Sequence, residues 1–416
     1  MMQALYSRSA ASVEEHAKKV QASGSGNFMK KFYVGYGHAS IADCGSTTLF
    51  MEGVSMLAAK AIEDWPLFSG QETSSRYIDF SKQLIVDPIK SLASKKVLKK
   101  WMNFYVKSQP GVSVHLREKY PKRPDEDEVV YERAIKARTF DILRGFLPAG
   151  ITTQLSWHTN LRQAHDKLAL MVHHPLPEIN KLAKTMLGKL KEKYDNSFSQ
   201  TYDREQLTFR QWLNDKHNYF VEKKYNGDFS ARHNIDKKAL KTYSGLIKKR
   251  PTKTGLPNFL AELGNVTFEF LLDFGSFRDI QRHRHGVCRM PLLTTKYGFN
   301  KWYLEQLPKD LRQEAEKLIK EQIAEIKKLK ASPEVAQYYI AMGFNVTCRV
   351  SYGLPATVYV VELRSGRMVH PSLRVVAHKM YNYLRQTFPE LLIHADLSLD
   401  DWDVRRGLQD IKEKVK

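Results

Sequence analysis

Apolar residues recur at helical spacing from Glu128 to Arg144, which runs into Gly145-Phe146, and again from about Asp310 to Lys330. In the second stretch Leu311, Ala315, Leu318, Ile319, Ile323 and Ile326 share one face. A further helix is predicted near Ser372 to Gln386. Gly264 to Leu272 and the β-branched run Thr357 to Glu362 read as strands. Strands set among amphipathic helices predict an α+β fold, each half a sheet packed with helices.

The order of features repeats. A helix, Gly145-Phe146, Asn160-Leu161-Arg162 and Met171-Val172-His173-His174-Pro175 precede another helix. Later, a helix, Gly343-Phe344, Glu362-Leu363-Arg364 and Met368-Val369-His370-Pro371 do the same. That shared order predicts a tandem duplication. The expected organisation is an N-terminal extension (1–29), a first domain (30–195), a basic connector (196–253), a second domain (254–398) and a C-terminal tail (399–416). The connector, with Lys237-Lys238 and Lys248-Lys249-Arg250-Pro251, reads as a solvated basic face rather than a nucleic-acid patch.

Of the 416 residues, 66 are Lys or Arg and 45 Asp or Glu. The net charge of +21 favours anionic partners: nucleotides, folate polyglutamates or nucleic acid. Cys44, Cys288 and Cys348 have no C-x-x-C spacing, so a disulfide framework or thiolate zinc site is not expected. No run of apolar residues is long enough to span a bilayer and no signal-peptide core opens the chain, which predicts a soluble, cytoplasmic protein without membrane contact.

Two polar clusters carry the candidate chemistry. Gln281-Arg282-His283-Arg284-His285 follows an apolar segment, where two arginines alternating with two histidines call for an anion. Ser69-Gly70-Gln71-Glu72-Thr73-Ser74-Ser75-Arg76-Tyr77 follows a similar segment upstream. In isolation, Glu72 to Arg76 reads as a helix cap with a local ion pair. Gly37-His38-Ala39-Ser40-Ile41-Ala42-Asp43 lies before it and favours a nucleotide site. His173, His174 and His370 read as capping or core histidines, with no metal-ligand spacing.

Together these residues resemble the flavin-dependent thymidylate synthases (ThyX), which carry Arg-His-Arg followed by Glu-x-Ser-x-Arg-Tyr in a single motif. Here the motif is divided. Counting back from Arg76-Tyr77, the triplet positions fall on Asp64, Trp65 and Pro66; counting forward from Arg282, the acid, serine and arginine positions fall on Met290, Leu292 and Thr294. The resemblance implies a twisted, mainly antiparallel sheet with flanking helices in each half, and a homodimer as counterpart of the family tetramer. It implies that Glu72, Ser74, Arg76, Arg282 and Arg349 bind substrate, and that Ser74, Arg282 and His283 are catalytic. FAD contacts would come from His38, Ser40, Gln71, Asn160, Arg162, Arg282, His283 and Arg284, with Arg364 the second-half counterpart of Arg162. Gln154 stands where the family commonly has a substrate-binding arginine.

The implied reaction is reductive methylation of dUMP to dTMP, with methylenetetrahydrofolate and NADPH as co-substrates. Two alternatives remain open: another pyrimidine C5 modification such as hydroxymethylation of a deoxynucleotide, and a non-catalytic paralogue that binds nucleotide or nucleic acid.

Overall fold

The computed structural model describes residues 2–24, 40–76, 78–198, 203–214, 216 and 229–398. In chain order the framing elements begin with β1 (Ser46–Ser55), α1 (Met56–Glu63), β2 (Ser69–Glu72), α2 (Leu92–Lys119), α3 (Glu128–Leu143), β3 (Thr152–Asn160), α4 (Leu161–Met171) and α5 (Pro177–Lys193). They continue with β4 (Phe229–His233), β5 (Asn265–Asp273), α6 (Phe274–Ile280), β6 (Gly286–Cys288), α7 (Lys309–Lys328), β7 (Asn345–Gly353), α8 (Leu354–Ser365) and α9 (Pro371–Thr387). Helices and antiparallel sheets together make the protein α+β, as the patterning predicts.

The chain divides into two compact units. The first (Met1–Val54, Ala58–Glu72, Thr153–Tyr219) holds a three-stranded sheet in the order β1-β3-β2. Its short strand lies close against β3: Gly70 pairs with Trp157, and a Cβ on Gly70 would sit 2.0 Å from the Ser156 carbonyl oxygen. Only glycine allows that approach.

The second unit (Ser55–Leu57, Thr73–Thr152, Phe220–Lys416) holds the antiparallel sheet β4-β5-β7-β6. Burial alternates along the central strands, with Val266, Phe268, Phe270 and Leu272 of β5 and Val346, Cys348, Val350 and Tyr352 of β7 all buried. In α9, Leu373, Val376, Ala377, Met380 and Leu384 are buried at helical spacing. β4 comes from the basic stretch expected to be a connector, and Arg250 of that stretch forms a buried ion pair with Glu362.

One predicted strand is a helix. Thr357 to Glu362 lies inside α8, where Thr357, Val358, Val360, Val361 and Ser365 are buried at helical rather than alternating positions. Pro355 occupies the first turn, and Thr357 Oγ1 donates to the Tyr352 and Gly353 carbonyls, so packing and the helix start override β-propensity.

Hydrogen bonds in the second unit match in pairs. Val86 N donates to Gly150 O, Thr152 N to Leu84 O and Met56 N to Ile151 O; Asn300 N donates to Gly343 O, Asn345 N to Gly298 O and Phe274 N to Phe344 O. The segments also pair with each other, Ala149 N to Ile340 O and Met342 N to Leu147 O, around a Pro148–Ala341 bridge. These bonds equate Gly150, not Gly145, with Gly343. They put Arg162 and Arg364 at opposite ends of matching helices, so Arg364 is not the positional counterpart of Arg162.

Candidate active site

Helix α6 aims the second polar cluster. Asp273 caps it by accepting from Ser276 N, and the helix stops at Ile280, leaving Gln281 to His285 as a turn before β6. A Cβ on Gly286 would lie 2.4 Å from the Ser351 carbonyl oxygen, so glycine is needed for β6 to close on β7. Arg282 is half exposed, at 51%, and His283 is buried. With Arg284, His285, Arg364, Tyr352 and Tyr359 they line a cleft of about 830 Å³.

Asp279 binds this region together. Burial alone would raise its carboxyl, but the guanidinium groups of Arg144, Arg76, Arg364 and Arg282 outweigh that and hold it down at about 2. Arg76, from the upstream cluster, donates from Nε to Asp141 Oδ1 at 3.1 Å and from Nη2 to the Met368 carbonyl at 3.4 Å. Asp141 also faces buried Arg144, at 3.5 Å. Next to Arg76, the Ser75 hydroxyl accepts from Arg278 Nη1 at 3.1 Å. Ser74 is half-buried, and its Oγ accepts from Arg76 N at 3.3 Å. Parts of the two divided clusters, Ser74 to Arg76 and Gln281 to His285, therefore occur in one unit, and the charges of Arg76 and Arg282 both act on Asp279.

His283 Nε2 accepts from Arg364 Nε at 2.7 Å, and Arg364 Nη2 donates to the Asp279 carbonyl at 2.7 Å. Burial and then the Arg364 charge lower the His283 imidazole to about 3, so it is neutral at ordinary pH.

The remaining predicted residues lie elsewhere. Glu72 belongs to the first unit, where its buried side chain meets buried Lys60 at 2.9 Å, and Lys60 also pairs with Glu63. Gln71 is on exposed β2, its N–H donating to Ser156 Oγ at 3.3 Å. Asn160 caps α4 by accepting from Gln163 N at 2.8 Å. Arg162 grips Asp43 through Nε and Nη2, both at 2.8 Å, and Ser40 begins the short helix carrying Asp43. Arg349 of β7 lies 3.5 Å from Glu269. Gln154 is exposed on β3. His38 and Tyr77 lie outside the described residues.

His174 and His370 do act as local acceptors, for Leu176 N and Ser372 N. Asp141, Arg144, Arg278 and Asp279 were not singled out by sequence. Arg278, on the helix that leads into Arg282, and Asp141 with Arg144 one turn apart, were the available signals.

The protein is thus α+β, with a cleft lined by Arg282, Arg284 and Arg364. Residues 1–194 match the family described as Thy1, thymidylate synthase complementing protein. It is 26% identical to a UPF0159 protein of Chlamydia muridarum, over 87% of this chain and 79% of the relative. A UPF0159 protein of Chlamydia pneumoniae is also 26% identical, over 90% and 82% of the two chains. One from Thermoplasma acidophilum is 24% identical over 94% and 93%. The family match ends before Arg282, whereas these relatives align along most of the chain. No helix among the described residues is long and apolar enough to cross a membrane.

Proposed function

We propose that this is a thymidylate synthase-like enzyme that methylates dUMP reductively to dTMP, with FAD as cofactor and methylenetetrahydrofolate and NADPH as co-substrates. The carrying observation is that the charges of Arg76 and Arg282 both act on the buried Asp279 carboxylate, with Arg282 Nε 4.0 Å from it, beside the Ser75–Arg278 hydrogen bond. The match of residues 1–194 supports thymidylate synthase-like chemistry, and the matched hydrogen bonds and the corresponding orders β1-β3-β2 and β5-β7-β6 support a tandem duplication. In this reading a homodimer replaces the family tetramer.

The cleft suits a flavin dinucleotide in size and charge: about 830 Å³, with Arg282, Arg284 and Arg364 for phosphate and Tyr352 and Tyr359 for ring faces. FAD, when bound, supplies hydride transfer. The protein's own residues do the rest. Arg76 and Arg282 neutralise substrate phosphate, with Asp141 and Asp279 fixing their positions. Ser74 orients the pyrimidine by hydrogen bonding, and His283 with Arg284 lines the cleft. Glu72, Arg349, His38, Ser40, Gln71, Asn160 and Arg162 keep the roles implied by the resemblance. For Asn160 and Arg162 the capping bond and the Asp43 pair are competing duties.

The test is incubation of the purified protein with FAD, NADPH, methylenetetrahydrofolate and dUMP, followed by mass measurement of the nucleotide. The mass of dTMP is expected. A hydroxymethyl product would move the function to another pyrimidine C5 modification. Unchanged dUMP, with salt-sensitive binding of DNA or RNA, would make the protein a binding paralogue.

A further inference from the structure

The imidazole of His283 is fixed by a partner that has no second protonation state. A guanidinium Nε–H is a permanent donor, so the ring nitrogen facing it at 2.7 Å must offer a lone pair. With Nε2 accepting, the proton of a neutral ring lies on Nδ1. Protonating the ring would set two N–H groups against each other, in a place already crowded by cations.

Arg364 is itself held. It is in the last turn of α8, and its Nη2 donates to the Asp279 carbonyl at 2.7 Å. Tyr359, from the preceding turn of α8, packs edge-on against the His283 ring with centroids 6.0 Å apart. The His283 backbone is tied as well, its N–H donating to Ile280 O. Ring, guanidinium and both supporting helices thus fix one orientation. Nδ1 has no hydrogen-bond partner among the described residues, and His283 lines the cleft.

We propose that Arg364 is a positioning residue that locks His283 as the neutral Nδ1–H tautomer, so that the cleft presents a fixed N–H donor to an acceptor atom of its ligand. His283 is then a hydrogen-bond donor and not a proton shuttle. The ligand atom it selects is a carbonyl oxygen, a phosphate oxygen or an unprotonated ring nitrogen. The role of that ligand rests on the function proposed above; the tautomer lock does not.

The charged and titratable groups around the ring are Arg364, Asp279, Arg284 and Arg282, with Tyr359 on its edge. Nitrogen-15 NMR of the labelled full-length protein, with the His283 signal assigned by its loss in His283→Gln, reads the tautomer directly. A neutral Nδ1–H ring that stays unchanged from pH 5 to pH 8 is expected. In Arg364→Met the ring should lose its fixed tautomer, with nitrogen-15 shifts that average the Nδ1–H and Nε2–H forms, and its titration should move upward toward the ordinary value near 6.5. Arg364→Lys should restore the charge without the lock, leaving a ring of mixed tautomers. A wild-type His283 that titrates between pH 5 and pH 8, or carries its proton on Nε2, overturns the proposal whether or not flavin binds. A normal lock in a protein that takes up no FAD would instead count against the flavin reading alone.

Discussion

The segments Met56 to Pro66 and Phe274 to Arg284 share a backbone plan and differ in what they do with it. Each follows a long strand as a helix, and each begins with an N–H donated to a matching carbonyl, Met56 to Ile151 and Phe274 to Phe344. In register, Lys60 corresponds to Arg278, and Asp64, Trp65 and Pro66 to Arg282, His283 and Arg284. In the first segment the chain satisfies itself. Trp65 Nε1 donates to Gln163 Oε1 at 2.8 Å, and Lys167 donates to the Asp64 carbonyl at 2.7 Å while lying 5.6 Å from the Trp65 ring centre. Burial lowers the Lys167 ammonium to about 8, although Asp64 pulls the other way. In the second segment the side chains border an open cleft. Two segments with one backbone plan thus differ in use, one leaving its cations beside a cleft and the other filling the matching positions by packing.

Breaking the cluster at its base should have the largest effect. Asp141→Ala removes the buried carboxylate facing Arg76 and Arg144, and the loss of stability expected for breaking a buried ion pair is about 3 to 5 kcal/mol. Denaturant titration measures it, and a change below about 1 kcal/mol would mean those cations have sufficient support elsewhere. Next comes Arg282→Ala, at the half-exposed rim. Folding should be nearly unchanged, while the affinity for dUMP or FAD drops by roughly 1.5 to 3 kcal/mol per lost charge-assisted contact. Unchanged binding of both ligands, measured calorimetrically, would remove the second segment's claim to the site.

The self-satisfied segment should show itself in acid. Burial, and then the charge of Lys167, depress His174 to about 3, so the folded protein resists protonation that the unfolded chain accepts. The stability from the neutral ring is complete above the unfolded value near 6.5 and is lost as pH falls toward 3, by roughly 1.4 kcal/mol for each unit. His174→Gln should flatten that limb of the stability curve, and an unaltered limb would show that His174 does not set it. The smallest effect is expected for Asn160→Ala, which deletes the α4 cap at a cost of about 1 kcal/mol. A loss of FAD affinity in that variant beyond the loss of stability would show that Asn160 reaches the cofactor as well.

Local rules made much of this legible in sequence. Asp310 to Lys330 has a strict apolar stripe, and Gly264 to Leu272 alternates; both became the predicted elements. The triplet counterparts Asp64, Trp65 and Pro66 could be counted because the helices before the two motifs have matching starts. Thr357 to Glu362 could not be read correctly, since this helix exposes apolar side chains such as Tyr359 and Leu363 instead of a polar face, and its β-branched residues mimic a strand. Matching Gly145-Phe146 with Gly343-Phe344 paired like letters, whereas backbone bonds select Gly150. The pairing of Glu72 with Lys60 and the convergence of Arg76, Arg144, Arg282 and Arg364 on Asp279 are tertiary, and no spacing in the chain encodes them.

Flavin stoichiometry reads how many working clefts each chain has. FAD is titrated into the purified full-length chain, bound flavin per chain is read from the visible spectrum, and dUMP is then added. One flavin per chain is expected, in the cleft lined by Arg282 and His283, with a spectrum perturbed by dUMP. No flavin uptake, or two flavins per chain, would contradict it.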